Sequence, residues 1–269
     1  LSAKLVGEIN ESTYRAAALV ELLHTATLVH DDVVDESMER RGFFSINAIW
    51  KNKIAVLVGD YLLSKGLLLS TSHEDFMHLH ILSEAVKQMS EGELLQIEKS
   101  RKLNLDEEVY FEIIRNKTAS LLSSACAVGA YSTGKDETKT EKMKLFGQKV
   151  GIAFQIKDDL FDYGKEDVGK PTGNDIREKK LTLPLIYTLN TIDKNARRKI
   201  IYMLKNENKN KESINFIIES VIKAGGIKYA ETKMNLYRDE ALEILYTFDA
   251  SPVRSALEEL VRFTTDRKY

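Results

Sequence analysis

The chain has 269 residues, 43% of them hydrophobic, which is enough to bury the core of one large domain. Its 39 basic and 41 acidic groups leave a net charge of −2 and are interleaved, which argues against a nucleic-acid surface. The lone cysteine, Cys126, excludes an internal disulfide and reads as a packed core thiol in a reducing cytoplasm. No uninterrupted apolar run approaches the ~18 residues of a membrane span and no signal-peptide pattern opens the chain, so no transmembrane segment is expected.

In chain order, apolar residues recur at three- and four-residue spacing through 16–34, 54–69, 81–96, 110–131, 142–161 and 181–190. The same helical pattern continues through 196–205, 213–224, 227–246 and 253–263. Gly134 and Gly225-Gly226 mark breaks, Ser251-Pro252 reads as an N-cap with the first helical residue, and 205–212 as a polar loop. No strand alternation and no Ser/Gly-rich or Pro-rich linker is evident. The expectation is all-α, a single-domain helical bundle over 1–269. The chain opens on Leu1, so residues upstream are expected to be missing.

Two acidic quintets stand out. Asp31-Asp32-Val33-Val34-Asp35 and Asp158-Asp159-Leu160-Phe161-Asp162 each end an apolar helical pattern. On a helix the first and fifth positions share a face about 6 Å apart along the axis. Carboxylates so close destabilise the helix unless neutralised, and their oxygens suit Mg2+, which binds through a few carboxylates plus substrate phosphates. One acidic quintet alone is usually a solvated helix end. The flanks reverse that reading: the stretch from Leu19 to His30 is largely apolar and drives its helix into a core. Arg40-Arg41-Gly42 follows the first quintet, with guanidiniums suited to phosphate. Gly164, Gly169 and Gly173 with Lys170, Lys179 and Lys180 follow the second and suggest a lid over 164–180.

The stretch from His24 to Gly42 resembles the first aspartate-rich motif of trans-isoprenyl diphosphate synthases. Residues 151–163 resemble the second, continued by 169–180 and Leu183-Pro184. The subgroup most similar is the long-chain polyprenyl diphosphate synthases that make quinone side chains, of the octaprenyl type.

That resemblance implies an isoprenoid-synthase bundle with a deep central cavity. It implies Mg-dependent head-to-tail condensation of isopentenyl diphosphate with an allylic diphosphate such as farnesyl diphosphate. Up to roughly three Mg2+ ions would be held, with Asp31, Asp35 and Asp158 as direct ligands and Asp32, Asp159 and Asp162 in supporting, water-mediated roles. Arg40, Lys117, Lys170 and Lys180 would bind the allylic diphosphate, and His24 and Arg41 isopentenyl diphosphate. Gln155 and Thr118 would lie beside the nascent cation, and the released pyrophosphate would take the proton. Glu93 and Gln96 could support metal-bound water. Ala26 and Thr27, five and four residues before Asp31, sit where short-chain relatives carry aromatic residues; small residues there imply a long product, although helix packing also asks for small residues. A homodimer with peripheral membrane contact for product release is implied as well. The family's N-terminal Gly-Lys-Arg motif has no counterpart here. A short-chain synthase, a terpene cyclase and a non-catalytic subunit of a heteromeric synthase are the competing readings; intact quintets argue against the last.

Overall fold

The structure, a computed structural model, describes every residue except 41, 104–105, 165–172 and 268–269, and describes Arg40 and Lys102 through their backbone alone. Arg41, Gly169 and Lys170, and most of the expected lid, therefore lie outside the described residues.

The all-α expectation holds. The helices are α1 (Ser2–Val6), α2 (Glu11–Val34), α3 (Ile46–Ser72), α4 (Phe76–Lys102), α5 (Glu107–Ile114), α6 (Ser120–Gly134), α7 (Glu137–Phe161), α8 (Asn174–Arg177), α9 (Leu183–Thr191), α10 (Lys194–Asn206), α11 (Lys211–Ala224), α12 (Gly226–Leu245) and α13 (Pro252–Asp266). They extend past the periodic stretches because polar caps, invisible to an apolar repeat, start the first turn. Asn10 caps α2 by accepting the Thr13 N–H at 3.2 Å, while Thr13 returns its Oγ1 to the Asn10 N–H. Asn210 caps α11, which shortens the expected polar loop, and Ser251 caps α13 with Pro252 in its first turn. Gly225, at φ 82°, turns the chain between α11 and α12.

Several expectations are corrected. A short hairpin, β1 (Glu39–Arg40) and β2 (Phe43–Phe44), pairs Glu39 with Phe44 and Arg40 with Phe43, too short to show as alternation. The single helix expected over 110–131 is three pieces, α5, one π turn at Arg115–Ala119, and α6. Cys126 is half-buried rather than a core residue, although burial still pushes its thiol up. Among the described residues α3 passes the length and composition of a membrane span, with 22% of its apolar window buried, which by itself does not overturn the expectation of no transmembrane segment. The helix is interrupted at Lys51, where φ is 71°.

The chain forms two compact units, Leu1–Lys87 with Ser123–Lys144, and Gln88–Leu122 with Leu145–Tyr269. In the first, Ala16, Leu19, Leu23, Leu82 and Val128 form the core. There α2 lies close against α3: a Cβ on Gly59 would come within 2.2 Å of the His30 ring, and one on Gly66 within 3.0 Å of Leu19. The opposite side of α3 leaves Trp50, Ile54, Leu57, Tyr61 and Leu68 exposed. In the second unit the core runs through Ile152, Ile156, Ile176, Leu183, Leu185, Ile200 and Ile217.

Candidate active site

The first acidic motif closes α2. Asp35 is the C-cap, and its N–H donates to the Asp31 carbonyl at 2.8 Å, one helical turn back. Asp31 is half-buried and Asp35 exposed, whereas Asp32 is turned into the fold. The Asp32 carbonyl accepts Nδ2 of Asn47 at 3.1 Å, and that same amide donates to the Ser37 carbonyl, tying the start of α3 to the end of the motif. Two turns below Asp31, His24 buries an Nδ1 that makes no hydrogen bond.

The expected chain-length residues part company. Ala26 is 0% exposed and falls on the stripe Leu19–Leu23–Ala26–His30, whose other members meet α3 at Gly66 and Gly59. Thr27 is half-buried and turns its hydroxyl back to the His24 carbonyl at 2.8 Å.

The second motif ends α7, and its three carboxylates differ. Asp158 is half-buried, 3.8 Å from the Arg267 guanidinium, which stacks over Phe154 at 4.4 Å and Phe161 at 5.2 Å. Asp159, 6% exposed, accepts Nε2 of Gln155 on Oδ1 at 2.9 Å and the Tyr110 hydroxyl on Oδ2 at 2.7 Å. Burial pushes its carboxyl up to about 6, against the lowering pull of those two bonds. Asp162 is buried and accepts the backbone N–H groups of Asn174 at 2.7 Å and Asp175 at 3.2 Å, which hold the start of α8. Asp175 itself is pushed up to about 8 by burial and by the nearby charges of Asp159 and Asp162.

Beside this motif the π turn carries Lys117 and Thr118. A π bulge inserts one residue into a helix and is common at functional sites. Two glycines let neighbouring helices reach it: a Cβ on Gly92 of α4 would lie 2.8 Å from the Lys117 nitrogen, and one on Gly151 of α7 2.5 Å from the Ala119 Cα. Lys117 pairs with Glu93, which also accepts Nε2 of Gln96 at 3.1 Å. Thr118 donates to Oε1 of Gln155 at 2.8 Å. The structure therefore brings Lys117, Thr118, Gln155, Asp158 and Asp159 together within one unit. Lys180 pairs with Glu178 at 2.5 Å.

Tyr110, Asp175 and Arg267 were not singled out by the sequence. Tyr110 could have been found, two helical turns before Lys117 on a predicted helix; nothing local marks Arg267. Among the described residues no group of three or more His, Cys, Asp or Glu forms a ready metal cage.

Known proteins resemble this chain over nearly its whole length. The family described as polyprenyl synthetase matches residues 1–221, which include both aspartate-rich motifs. The all-trans-nonaprenyl-diphosphate synthase (geranyl-diphosphate specific) of Rhodobacter capsulatus is 36% identical over 270 residues, covering 99% of this chain and 82% of that protein. The crystal structure of a decaprenyl diphosphate synthase from Rhodobacter capsulatus has a TM-score of 0.94 at 36% identity, over 100% of this chain and 83% of that one. A polyprenyl synthase from Caulobacter crescentus CB15, complexed with calcium and isoprenyl diphosphate, has a TM-score of 0.91 at 37% identity, over 100% of this chain and 82% of that one. Other matches carry names from geranylgeranyl to solanesyl diphosphate synthase. The chain belongs to the polyprenyl synthetase family and is an enzyme of the prenyl-transferring kind.

Proposed function

We propose that this enzyme condenses isopentenyl diphosphate head to tail with an allylic diphosphate such as farnesyl diphosphate, building a long-chain all-trans polyprenyl diphosphate for a quinone side chain. The observation that carries this reading is the pair of aspartate-rich motifs within the family match, the second accompanied by the Thr118–Gln155–Asp159 chain.

Mg2+ fits the donors present. Asp31 and Asp35 offer carboxylates one turn apart, and Asp158 offers a third that is half-buried rather than sealed in the core. The lack of a ready cage among the described residues suits an ion that completes its shell with waters and substrate phosphates. When bound, Mg2+ supplies electrostatic stabilisation of the charge that collects on the departing diphosphate.

The chain's own residues do the rest. Lys117 and Arg40 bind the allylic diphosphate, and the Glu93 partner keeps Lys117 in place until the diphosphate competes for it. Thr118 and Gln155 set oxygen dipoles beside the carbon that becomes positive. An amide is useful there because it stabilises the cation without trapping it. His24 and Arg41 take isopentenyl diphosphate, and the unpaired buried Nδ1 of His24 supports that role. After the isopentenyl double bond attacks, the released pyrophosphate accepts the proton.

The relatives named for nonaprenyl and decaprenyl products support a long chain. The stripe of Trp50, Ile54, Leu57, Tyr61 and Leu68 supports a homodimer through α3, since its spacing of three, four and seven residues suits a second helix. The peripheral membrane contact fits a lipid product.

The test is condensation activity in Asp31→Ala, Asp158→Ala and Lys117→Gln. The aspartate variants should lose several orders of magnitude with an unchanged melting temperature. Lys117→Gln should lose roughly 10- to 150-fold, the value of one charge-assisted phosphate contact of about 1.5–3 kcal/mol. Near-normal rates in either aspartate variant would remove the reading.

A further inference from the structure

Asp159 stands in the middle of the second acidic motif, yet both of its oxygens are engaged by protein. Oδ1 holds Nε2 of Gln155 at 2.9 Å and Oδ2 holds the Tyr110 hydroxyl at 2.7 Å, in a site where Asp159 is 6% and Tyr110 4% exposed. With the Tyr110 hydroxyl donating to Oδ2 and Nε2 of Gln155 to Oδ1, Asp159 accepts on both oxygens and the amide presents its NH2 group to it. That settles the rotation of the amide. Its carbonyl oxygen is left at the other end, where the Thr118 hydroxyl donates to it at 2.8 Å. Thr118 thereby spends its one proton on Gln155 and turns its lone pairs outward. The two ends of an amide are nearly equal in size, so shape alone would not prevent the opposite rotation. Tyr110 matters because it occupies the second oxygen and so fixes where the first one points.

We propose that Tyr110 and Asp159 are positioning residues that lock the Gln155 amide with its carbonyl oxygen toward Thr118, and that Asp159 serves this amide rather than a metal ion. The proposal rests on the prenyl-transfer reading for its consequence: the negative end of the dipole faces the developing allylic charge, and the reversed amide would oppose it. One buried carboxylate thus sets the polarity of two side chains. Tyr110 touches no substrate and acts through Asp159 and Gln155.

The experiment uses the whole protein and compares Tyr110→Phe, Asp159→Asn, Gln155→Ala and the double variant Tyr110→Phe/Gln155→Ala. Tyr110→Phe and Asp159→Asn should each lower kcat by about 10- to 100-fold, since misplacing a group at the reacting centre costs up to about 100-fold. KM for both diphosphates and the half-saturating Mg2+ concentration should stay within about twofold. In the Gln155→Ala background, Tyr110→Phe should cost nothing further. An equal loss in both backgrounds, or a Mg2+ requirement that rises in Asp159→Asn, would overturn the proposal.

The second readout needs no turnover. In the wild type the Gln155 side-chain NH2 protons, identified by their loss in Gln155→Ala, should exchange slowly with water. In Tyr110→Phe, with a melting curve showing it folded, they should exchange faster or split into two populations. Unchanged, slow exchange in Tyr110→Phe would overturn the positioning role. Should the wild type fail to condense isopentenyl and farnesyl diphosphates, the reaction reading fails alone, and the amide exchange still decides the geometry.

Discussion

The Asp162 carboxylate accepts the backbone N–H of Asn174 at 2.7 Å, so the last acid of the second motif caps the next helix. Its other oxygen accepts the Asp175 N–H, and both acceptors are used on protein. Asp162→Ala should therefore lower stability by about 1 kcal/mol, as loss of an N-cap does, and speed hydrogen exchange at Asn174 and Asp175. Asp31→Ala, at the half-buried end of α2, should cost turnover without that exchange signature. Unchanged exchange in Asp162→Ala would show that the cap is not needed.

The π turn makes a second prediction. Gly151→Ala would place a Cβ 2.5 Å from the Ala119 Cα, a backbone atom that cannot swing aside. We expect about 1–3 kcal/mol of destabilisation and reduced turnover, because Lys117 and Thr118 ride on the displaced turn. Gly134→Ala, where nothing lies within 4 Å, is the control and should leave both unchanged. A normal melting temperature in Gly151→Ala would contradict the close approach.

Much of this was legible in the sequence. Apolar periodicity gave the α2 and α7 stripes, and the quintets announced themselves by spacing. The pairing of Gln155 with Asp159 follows from their four-residue separation on one helix. The rest depends on tertiary contact. The break at Arg115–Ala119 sits where Gly92 and Gly151 admit two helices against it, and no local pattern foretells a π turn. The three acids of the second motif look alike in sequence. Only burial and partners separate Asp158 beside Arg267, Asp159 beneath Tyr110, and Asp162 at the head of α8.

Stability should fall on mild acidification. His78 is buried beside the Tyr131 ring, and burial holds its imidazole below the ordinary value, with Asp75 pulling the other way and Arg15 and Lys135 adding to the drop. Because the unfolded chain, with a His pKa of about 6.5, binds the proton first, stability is lost as pH drops below about 6.5. Asp75 works in the same direction at lower pH. Burial opposes ionisation, yet the Arg15 guanidinium at 2.6 Å holds its carboxyl below the ordinary value, so that contribution is lost as the pH falls through the acid range. His78→Gln should flatten the loss between about pH 6.5 and 5. An unchanged slope in urea titrations across that window would rule His78 out.

Product length should separate Ala26 from Thr27. Thr27→Phe should shorten the product toward geranylgeranyl or farnesyl diphosphate with a normal melting curve. Ala26→Phe enters the α2–α3 seam, where overpacking should cost about 1–3 kcal/mol whatever it does to the product. Full-length product from folded Thr27→Phe would place the length determinant elsewhere.

The most direct measurement is incubation of the enzyme with labelled isopentenyl diphosphate, farnesyl diphosphate and Mg2+, followed by sizing of the extracted lipid. The expected product is all-trans and longer than geranylgeranyl diphosphate, absent when EDTA replaces Mg2+ and absent in Asp31→Ala and Asp158→Ala. Label remaining in isopentenyl diphosphate with the farnesyl substrate untouched, in wild-type protein shown to be folded, would contradict that expectation.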